Sequence, residues 1–211
     1  MRSDVDTAEL PPSPTRGTAQ PTQSALIARA AVADAALAHV APVPAPTPAA
    51  AAITEAKALR QALGQFGTGV TIIATRTAGG VLVGLTANSF GALSLDPPLI
   101  TWALRVSSNN LAVFEAAATF VVNVLAEPQV ELSRKFAAVG ANKFEDVSYA
   151  TSEHGHPLIH GAAAWFECRT VSRQIAGDHC LFIAQVERFT CSEAAPLLFH
   201  AGGFFTLGSR L

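Results

Sequence analysis

The chain has no surplus of positive charge. Lys and Arg total 14 against 16 Asp and Glu, for a net charge of −2 and a pI near 6.3. It therefore lacks the electrostatic footprint of a protein that grips nucleic acid or an anionic membrane. Long apolar runs are also missing: Gly, Pro, Asn or a charged residue interrupts each one well before the roughly 20 residues of a membrane span. The three cysteines, Cys168, Cys180 and Cys191, are odd in number and show no CxxC spacing. That argues against a disulfide framework or a thiolate zinc site and leaves them as small apolar fillers. The opening MRSDVDTAEL is acidic, without the basic-then-apolar order of a secretory signal, so a cytoplasmic enzyme is expected.

Familiar nucleotide and nucleophile signatures are missing too. There is no GxxxxGK[ST] and no GxSxG. Gly64, Gly67 and Gly69 are misspaced for a dinucleotide fingerprint and fall between a helix and a strand, where they read as a turn.

What is present divides near residue 53. Eight of the 13 prolines lie in the first 50 residues, whereas 14 of the 15 glycines lie beyond residue 53. An Ala/Pro tract such as APVPAPTP favours extended, solvated backbone, so residues 1–53 are expected to be a tail or linker. Within it, Ser24 to Val40 is alanine-rich enough for a helix, though its surroundings favour a fluctuating segment. The remainder, 54–211, at a length that buries one substantial core, is expected to be a single domain.

From Thr54, a candidate N-cap, Leu59, Ala62, Leu63 and Phe66 form one apolar helical stripe that needs something to pack on. GTGVTIIATR and VLVGLTANSF are β-branched runs separated by TAGG, which is hairpin chemistry. Leu99 to Arg105 alternates as a half-buried strand does. Helices are expected over Ser108 to Ala117 and Pro128 to Ala138, the latter with proline in its first turn, and a strand over Thr119 to Leu125. A long antiparallel pair, Ala162 to Ile175 and Asp178 to Thr190, turns at Gly177, and Phe204 to Leu207 adds a last strand. Hairpin-joined strands with helical additions predict a mainly β antiparallel barrel rather than a doubly wound sheet.

Few side chains stand out as chemistry. His154, His156 and His160 share an irregular loop with no acid or thiolate to complete a ligand set, so they read as solvated and no metal is expected. Asp96, ahead of Pro97 and Pro98, reads as a turn former. Thr86, Asn88 and Ser89 place short polar groups where a buried strand prefers Val or Ile. They suit either an edge strand facing water or a seat for a planar, polar-edged cofactor. Gly177, Asp178 and His179 form a turn, yet the turn does not require the histidine. An adjacent carboxylate can fix its tautomer against a planar ligand.

Taken in order, ALGQFGTGVTIIATR, VGLTANSFGALSLDPPLI, FVVNVLAEPQVELSRKFA, the GDH triplet and PLLFHAGGFF resemble the flavin reductase-like domains, FMN-binding split β-barrels of Greek-key form. The resemblance runs from about Leu59 to Leu207. It implies a homodimer that reduces FMN or FAD with NADH or NADPH and passes reduced flavin to a separate oxygenase. It places the flavin ring and ribityl chain against Thr86, Ala87, Asn88 and Ser89 and the strand face Ala103, Leu104 and Arg105. The phosphate falls to Ser107, Ser108 and Asn110, with Lys135 and Phe136 closing over it and Lys143 as a second cation. Gly177, Asp178, the catalytic candidate His179, and Phe204 are assigned to the nicotinamide side. Asn109 and Asn110 depart from the arginine and threonine usual in the family, and Phe199 and Phe204 from its tyrosines, which bears on flavin affinity. The cofactors supply the reactivity, so His179 is expected to position nicotinamide rather than transfer a proton. A flavin-binding electron carrier or sensor on the same barrel, or an oxidase with its own substrate, are the alternative readings.

Overall fold

A computed structural model of the protein describes residues 49–140 and 142–209. The Ser24 to Val40 segment and nearly all of the expected tail lie outside the described residues.

The fold is built on one antiparallel sheet of seven strands. It contains β2 (Thr71–Arg76), β3 (Leu82–Ala87), β4 (Gly91–Leu95), β5 (Pro98–Arg105), β6 (Thr119–Val124), β9 (Ala164–Ala176) and β10 (His179–Cys191), in the spatial order β3-β2-β6-β9-β10-β5-β4. Short strands β1 (Thr68–Gly69), β11 (Leu198–His200) and β12 (Gly203–Phe205) form a second sheet, and β7 (Tyr149–Thr151) pairs with β8 (Pro157–Ile159). The helices are α1 (Ala49–Leu63), α2 (Leu111–Ala116) and α3 (Val130–Ala137).

The TAGG segment makes the predicted hairpin. Gly80, at φ 83°, donates its N–H to the Thr77 carbonyl, and the Thr77 N–H reaches Val81 O. The resulting register pairs Thr71 with Ala87 and Arg76 with Leu82. In β5, Ile100, Trp102 and Leu104 are buried while Thr101 and Ala103 are only half-buried, as its alternation requires.

Leu85 and Ala87 of β3, at one end of the strand order, and Ile100, Trp102 and Leu104 of β5, next to the other end, join one core with Ile73, Phe120, Cys168 and Phe182, so the sheet curls upon itself. At the centre Trp102 stacks on Phe182 with ring centroids 4.4 Å apart and meets Phe114 and Phe120 edge-on. Each such fully buried large side chain contributes about 1.5–3 kcal/mol of hydrophobic stabilisation. A second core on the outer face unites Ile72, Ala74 and Val121 with Phe136 of α3, Ile159 and Leu197. Strands β2 and β6 are covered on both faces, hence their continuous apolar sequences.

Several local expectations are revised. α1 begins at Ala49, so Thr54 is not its first cap. The predicted apolar stripe is exposed in the single chain, Leu59 and Leu63 on the helix at 59% and 66% and Phe66, beyond its end, at 78%. The segment after Ala126 starts as a 3-10 turn, Glu127–Gln129, in which Gln129 Oε1 accepts the Ala126 N–H at 2.9 Å. The last strand ends at Phe205. Of the loop histidines His156 is buried, with Nε2 2.8 Å from Thr119 Oγ1, while His154 meets Glu187 and His160 meets Ser148. Cys168 and Cys180 are core fillers, burial pushing the Cys168 thiol up to about 12, but Cys191 is exposed.

Candidate functional site

The open end of the curled sheet holds a cavity of about 610 Å³. Its walls are the end of β3 and the following turn, the end of β5 with the turn toward α2, the C-terminal end of α3 with the loop after it, and the first residue of β10.

Strand register brings these pieces together. β10 runs antiparallel to β5 with His179 opposite Arg105, and the Val106 N–H donates to the Asp178 carbonyl at 2.9 Å. The β9–β10 turn is thereby fixed beside the end of β5. Ser89 ties in the other side: its hydroxyl donates to Ala103 O and accepts from Ala103 N–H, both at 3.0 Å. Thr86 Oγ1 donates to the Ser133 carbonyl at 2.7 Å and holds α3 over β3.

Most predicted site residues converge. Thr86, Ala87, Asn88, Ser89, Ala103, Leu104, Arg105, Ser107, Ser108, Asn110, Phe136 and His179 all line the cavity. Lys135, Gly177, Asp178 and Phe204 do not. Lys135 is exposed and its Nζ donates to the Glu145 carbonyl. One residue step turns a helix by about 100°, so Lys135 cannot share the heading of Phe136, its buried neighbour. Phe204 packs edge-on against Phe199, with the Arg134 guanidinium 5.6 Å above its ring. Asp178 stays outside the lining but is 2.7 Å from His179 Nδ1.

Leu85 and the run Ala137 to Gly140 also line the cavity and were not anticipated, and Asn109, noted as a departure from the family's arginine, lines it too. The FVVNVLAEPQVELSRKFA stretch stops at Ala137, and nothing in the apolar pattern beyond it marks a wall. Lys143, assigned only a secondary part, lies in the lining; its Nζ donates to the Phe136 carbonyl at 2.9 Å, and burial pulls its ammonium pKa down.

The hydroxyls differ in what they still offer. Thr86 and Ser89 have each committed their one proton to a main-chain carbonyl, so toward a ligand they can only accept. Ser108 is the reverse: its Oγ accepts the Asn110 N–H at 3.3 Å, which leaves its own proton to donate. Arg105, Lys143 and His179 line the cavity, and among the described residues no carboxylate does. Just outside it, the hydrogen bond from His179 and then the His179 charge hold the Asp178 carboxyl below its usual range, with Arg105 adding a smaller pull. A carboxylate only accepts, so Nδ1 carries the proton of this pair.

A curled antiparallel sheet with a donor-rich cleft at its open end fits the split-barrel flavin reductases, and comparison with known proteins agrees. The sequence profile of the flavin reductase like domain matches residues 63–208, and the chain belongs to that family. It is 41% identical over 155 residues to the reductase component of the flavin-dependent trigonelline monooxygenase of Acinetobacter baylyi, covering 74% of this chain and 50% of that protein. Against the FMN reductase (NADH) SmoA of Agrobacterium fabrum it is 38% identical, covering 70% of this chain and 84% of that one. Among solved structures, nitrilotriacetate monooxygenase component B from Mycobacterium thermoresistibile superposes with a TM-score of 0.71 at 34% identity, covering 74% of this chain and 88% of that one. The NADH:FAD oxidoreductase SgcE6 of Streptomyces globisporus, in complex with NAD and FAD fragments, gives 0.70 at 31%, covering 80% and 98%. The chain spans about half the length of the trigonelline enzyme's reductase component.

Proposed function

We propose that the protein is an NAD(P)H-dependent flavin reductase of Greek-key split-barrel form that acts as a homodimer and supplies reduced FMN or FAD to a separate oxygenase component. The observation that carries this reading is the composition of the cavity wall: hydroxyl and amide groups, Arg105, Lys143 and His179, with no acid among the described residues. That donor set suits a phosphorylated, planar, carbonyl-rich cofactor.

Flavin, when bound, supplies the hydride acceptor, and the chain's contribution is placement and exclusion of water. Ser107, Ser108 and Asn110, with Lys143, are the phosphate grip. Asn88 and the main chain of the TANS turn are left to meet the ring carbonyls, because Thr86 and Ser89 have no proton to give. Phe136, held under Gly84 by close contact, supplies an apolar wall. His179, oriented through Nδ1 by Asp178, positions the nicotinamide.

Exposed apolar side chains along the strands, Leu95 of β4, Val171 and Ile175 of β9 and Phe189 of β10, support pairing with a second copy. The deciding experiment is anaerobic addition of NADH, and separately NADPH, to the protein with excess FMN or FAD. Multiple turnovers of flavin bleaching are expected. Bound flavin that stays oxidised would instead favour a carrier or sensor.

A further inference from the structure

A buried imidazole and a buried carboxyl that the cavity does not use lie beneath the loop 152–156, which joins β7 to β8. His156 is 3% exposed and Glu167 1%, and His156 Nδ1 and Glu167 Oε1 have no hydrogen-bond partner among the described residues. Contacts from three strands seat the loop. Thr119 Oγ1 of β6 lies 2.8 Å from His156 Nε2, Arg76 Nε of β2 donates to Gly155 O at 2.7 Å, and from β10 Glu187 lies 3.1 Å from His154 while Arg188 donates to Glu153. β9 adds Glu167, 3.8 Å from Arg188 Nε, and Arg169, which donates to Glu187. The loop leads to the cavity wall. β8 is tied to β6 through buried Asn123, which donates to Pro157 O and accepts from the Ile159 N–H, whereas β7 pairs with β8 in a separate two-stranded sheet, so its seat depends on the loop. From β7 the Tyr149 ring meets Phe144 edge-on at 5.9 Å, and Phe144 meets Phe136 edge-on at 4.8 Å. Phe136 and Lys143, joined by the Lys143 bond to the Phe136 carbonyl, both line the cavity.

We infer that His156 is a proton-sensitive latch on the flavin seat: neutral, it holds the 152–156 loop down and Phe144 against Phe136; protonated, it releases the loop, loosens that wall and weakens flavin binding. The inference rests on the flavin reading of the cavity. An imidazolium has two N–H donors, and the Thr119 hydroxyl satisfies one of them, so the seated ring would carry a buried charge with an unpaired donor. Glu167 attracts that charge, while His154 and Arg76 repel it. Burial decides the balance: it lowers the His156 pKa below 6.5, Glu167 opposes it, and His154 and Arg76 lower the value further. A seat that lowers the pKa of a base is weakened when that base is protonated, so release comes as pH falls through the folded-state value.

The test compares FMN affinity, by flavin fluorescence, of the full chain and its His156→Gln variant from about pH 7.5 to about pH 5. Glutamine keeps a hydrogen-bonding group for Thr119 without a titrating proton. The FMN phosphate, His160 and His179 are common to both proteins, so their protonation cancels from the comparison. Toward the acid end the wild-type dissociation constant is expected to rise about fivefold more than that of the variant, the low end of coupling between two sites. Tyr149→Leu, which cuts the aromatic relay above the loop, should remove this excess. Equal pH dependence in wild type and His156→Gln overturns the inference, as does an excess that persists in Tyr149→Leu. Should a variant fail to fold, the His156 imidazole resonance of the wild type decides: its titration midpoint moves to lower pH when FMN is bound, and an unmoved midpoint overturns the inference. Absence of FMN binding at every pH would defeat the flavin reading instead. Amide exchange of residues 149–152 without flavin, expected to be about fivefold faster in wild type than in His156→Gln at the acid end, then shows whether the latch exists, and equal exchange shows that it does not.

Discussion

Ser89 and Ala103 are joined as two strand residues would be, although one partner uses a side chain: the Ser89 hydroxyl donates to Ala103 O and accepts from Ala103 N–H, each at 3.0 Å. The clasp links the turn after β3 to β5, far across the strand order of the sheet, at the mouth of the cavity.

Ser89→Ala is therefore expected to lower stability by about 1 kcal/mol, the net value of a typical hydrogen bond, or roughly 2–4 °C in Tm. FMN affinity should fall as well, because the main chain of Ala87 and Asn88 loses its tether. Thermal melts and flavin fluorescence check both. An unchanged Tm with reduced affinity would mean that Ser89 acts on the flavin directly.

Gly84 leaves room that α3 fills. A Cβ there would lie 2.8 Å from Phe136 Cε1 and 3.0 Å from Phe144 Cζ. Gly84→Ala should cost about 1–3 kcal/mol through overpacking and weaken flavin binding as Phe136 is displaced from the cavity wall. Denaturant titration and flavin binding read the two effects separately.

Lys143 and Lys135 test the phosphate grip. Lys143 lines the cavity and Lys135 does not. Lys143→Ala is expected to weaken FMN binding by about tenfold and Lys135→Ala by much less. The opposite ranking in fluorescence titrations would return the role to Lys135.

His179→Ala should slow NADH-driven flavin reduction by about 10- to 100-fold, the scale of a lost positioning contact, with flavin affinity little changed. Stopped-flow rates equal to wild type would refute the assignment. Asp178→Asn should show a smaller effect of the same kind. The Asp178 pKa lies below its ordinary 3.8, so the carboxylate–His179 contact persists at neutral pH and is lost only as acid carries the solution through that lowered value.

His156 gives the pH dependence of stability. Burial lowers its pKa below 6.5, aided by the charges of His154 and Arg76 and opposed by Glu167. The unfolded chain therefore takes up a proton first: stability is highest above about pH 6.5 and declines from there down to the folded-state pKa, below which this contribution is constant. His156→Gln should flatten that part of a stability-versus-pH curve measured by urea unfolding.

Much of the fold was legible in the residues. The TAGG hairpin, the alternation of Leu99 to Arg105 and the turn at Gly177 each follow from local steric and burial rules, and the positions of these strands matched. The His154 to His160 loop did not, because burial of His156 depends on β6 and β9, distant in sequence, closing over it. The same limit applied to α1, whose stripe marks an apolar face without saying what it meets.

The sequence by itself determined the order of the strands along the chain, the polar TANS turn and the presence of a histidine beside Asp178, since all three are set by neighbours in the chain. Only the tertiary structure decided that Thr86 and Ser89 spend their protons on main-chain carbonyls and that Lys143 faces the cavity in place of Lys135. It also decided that His156 is buried. Hydrogen-bond commitment and side-chain heading depend on partners brought together by sheet register, and a linear sequence carries no record of them.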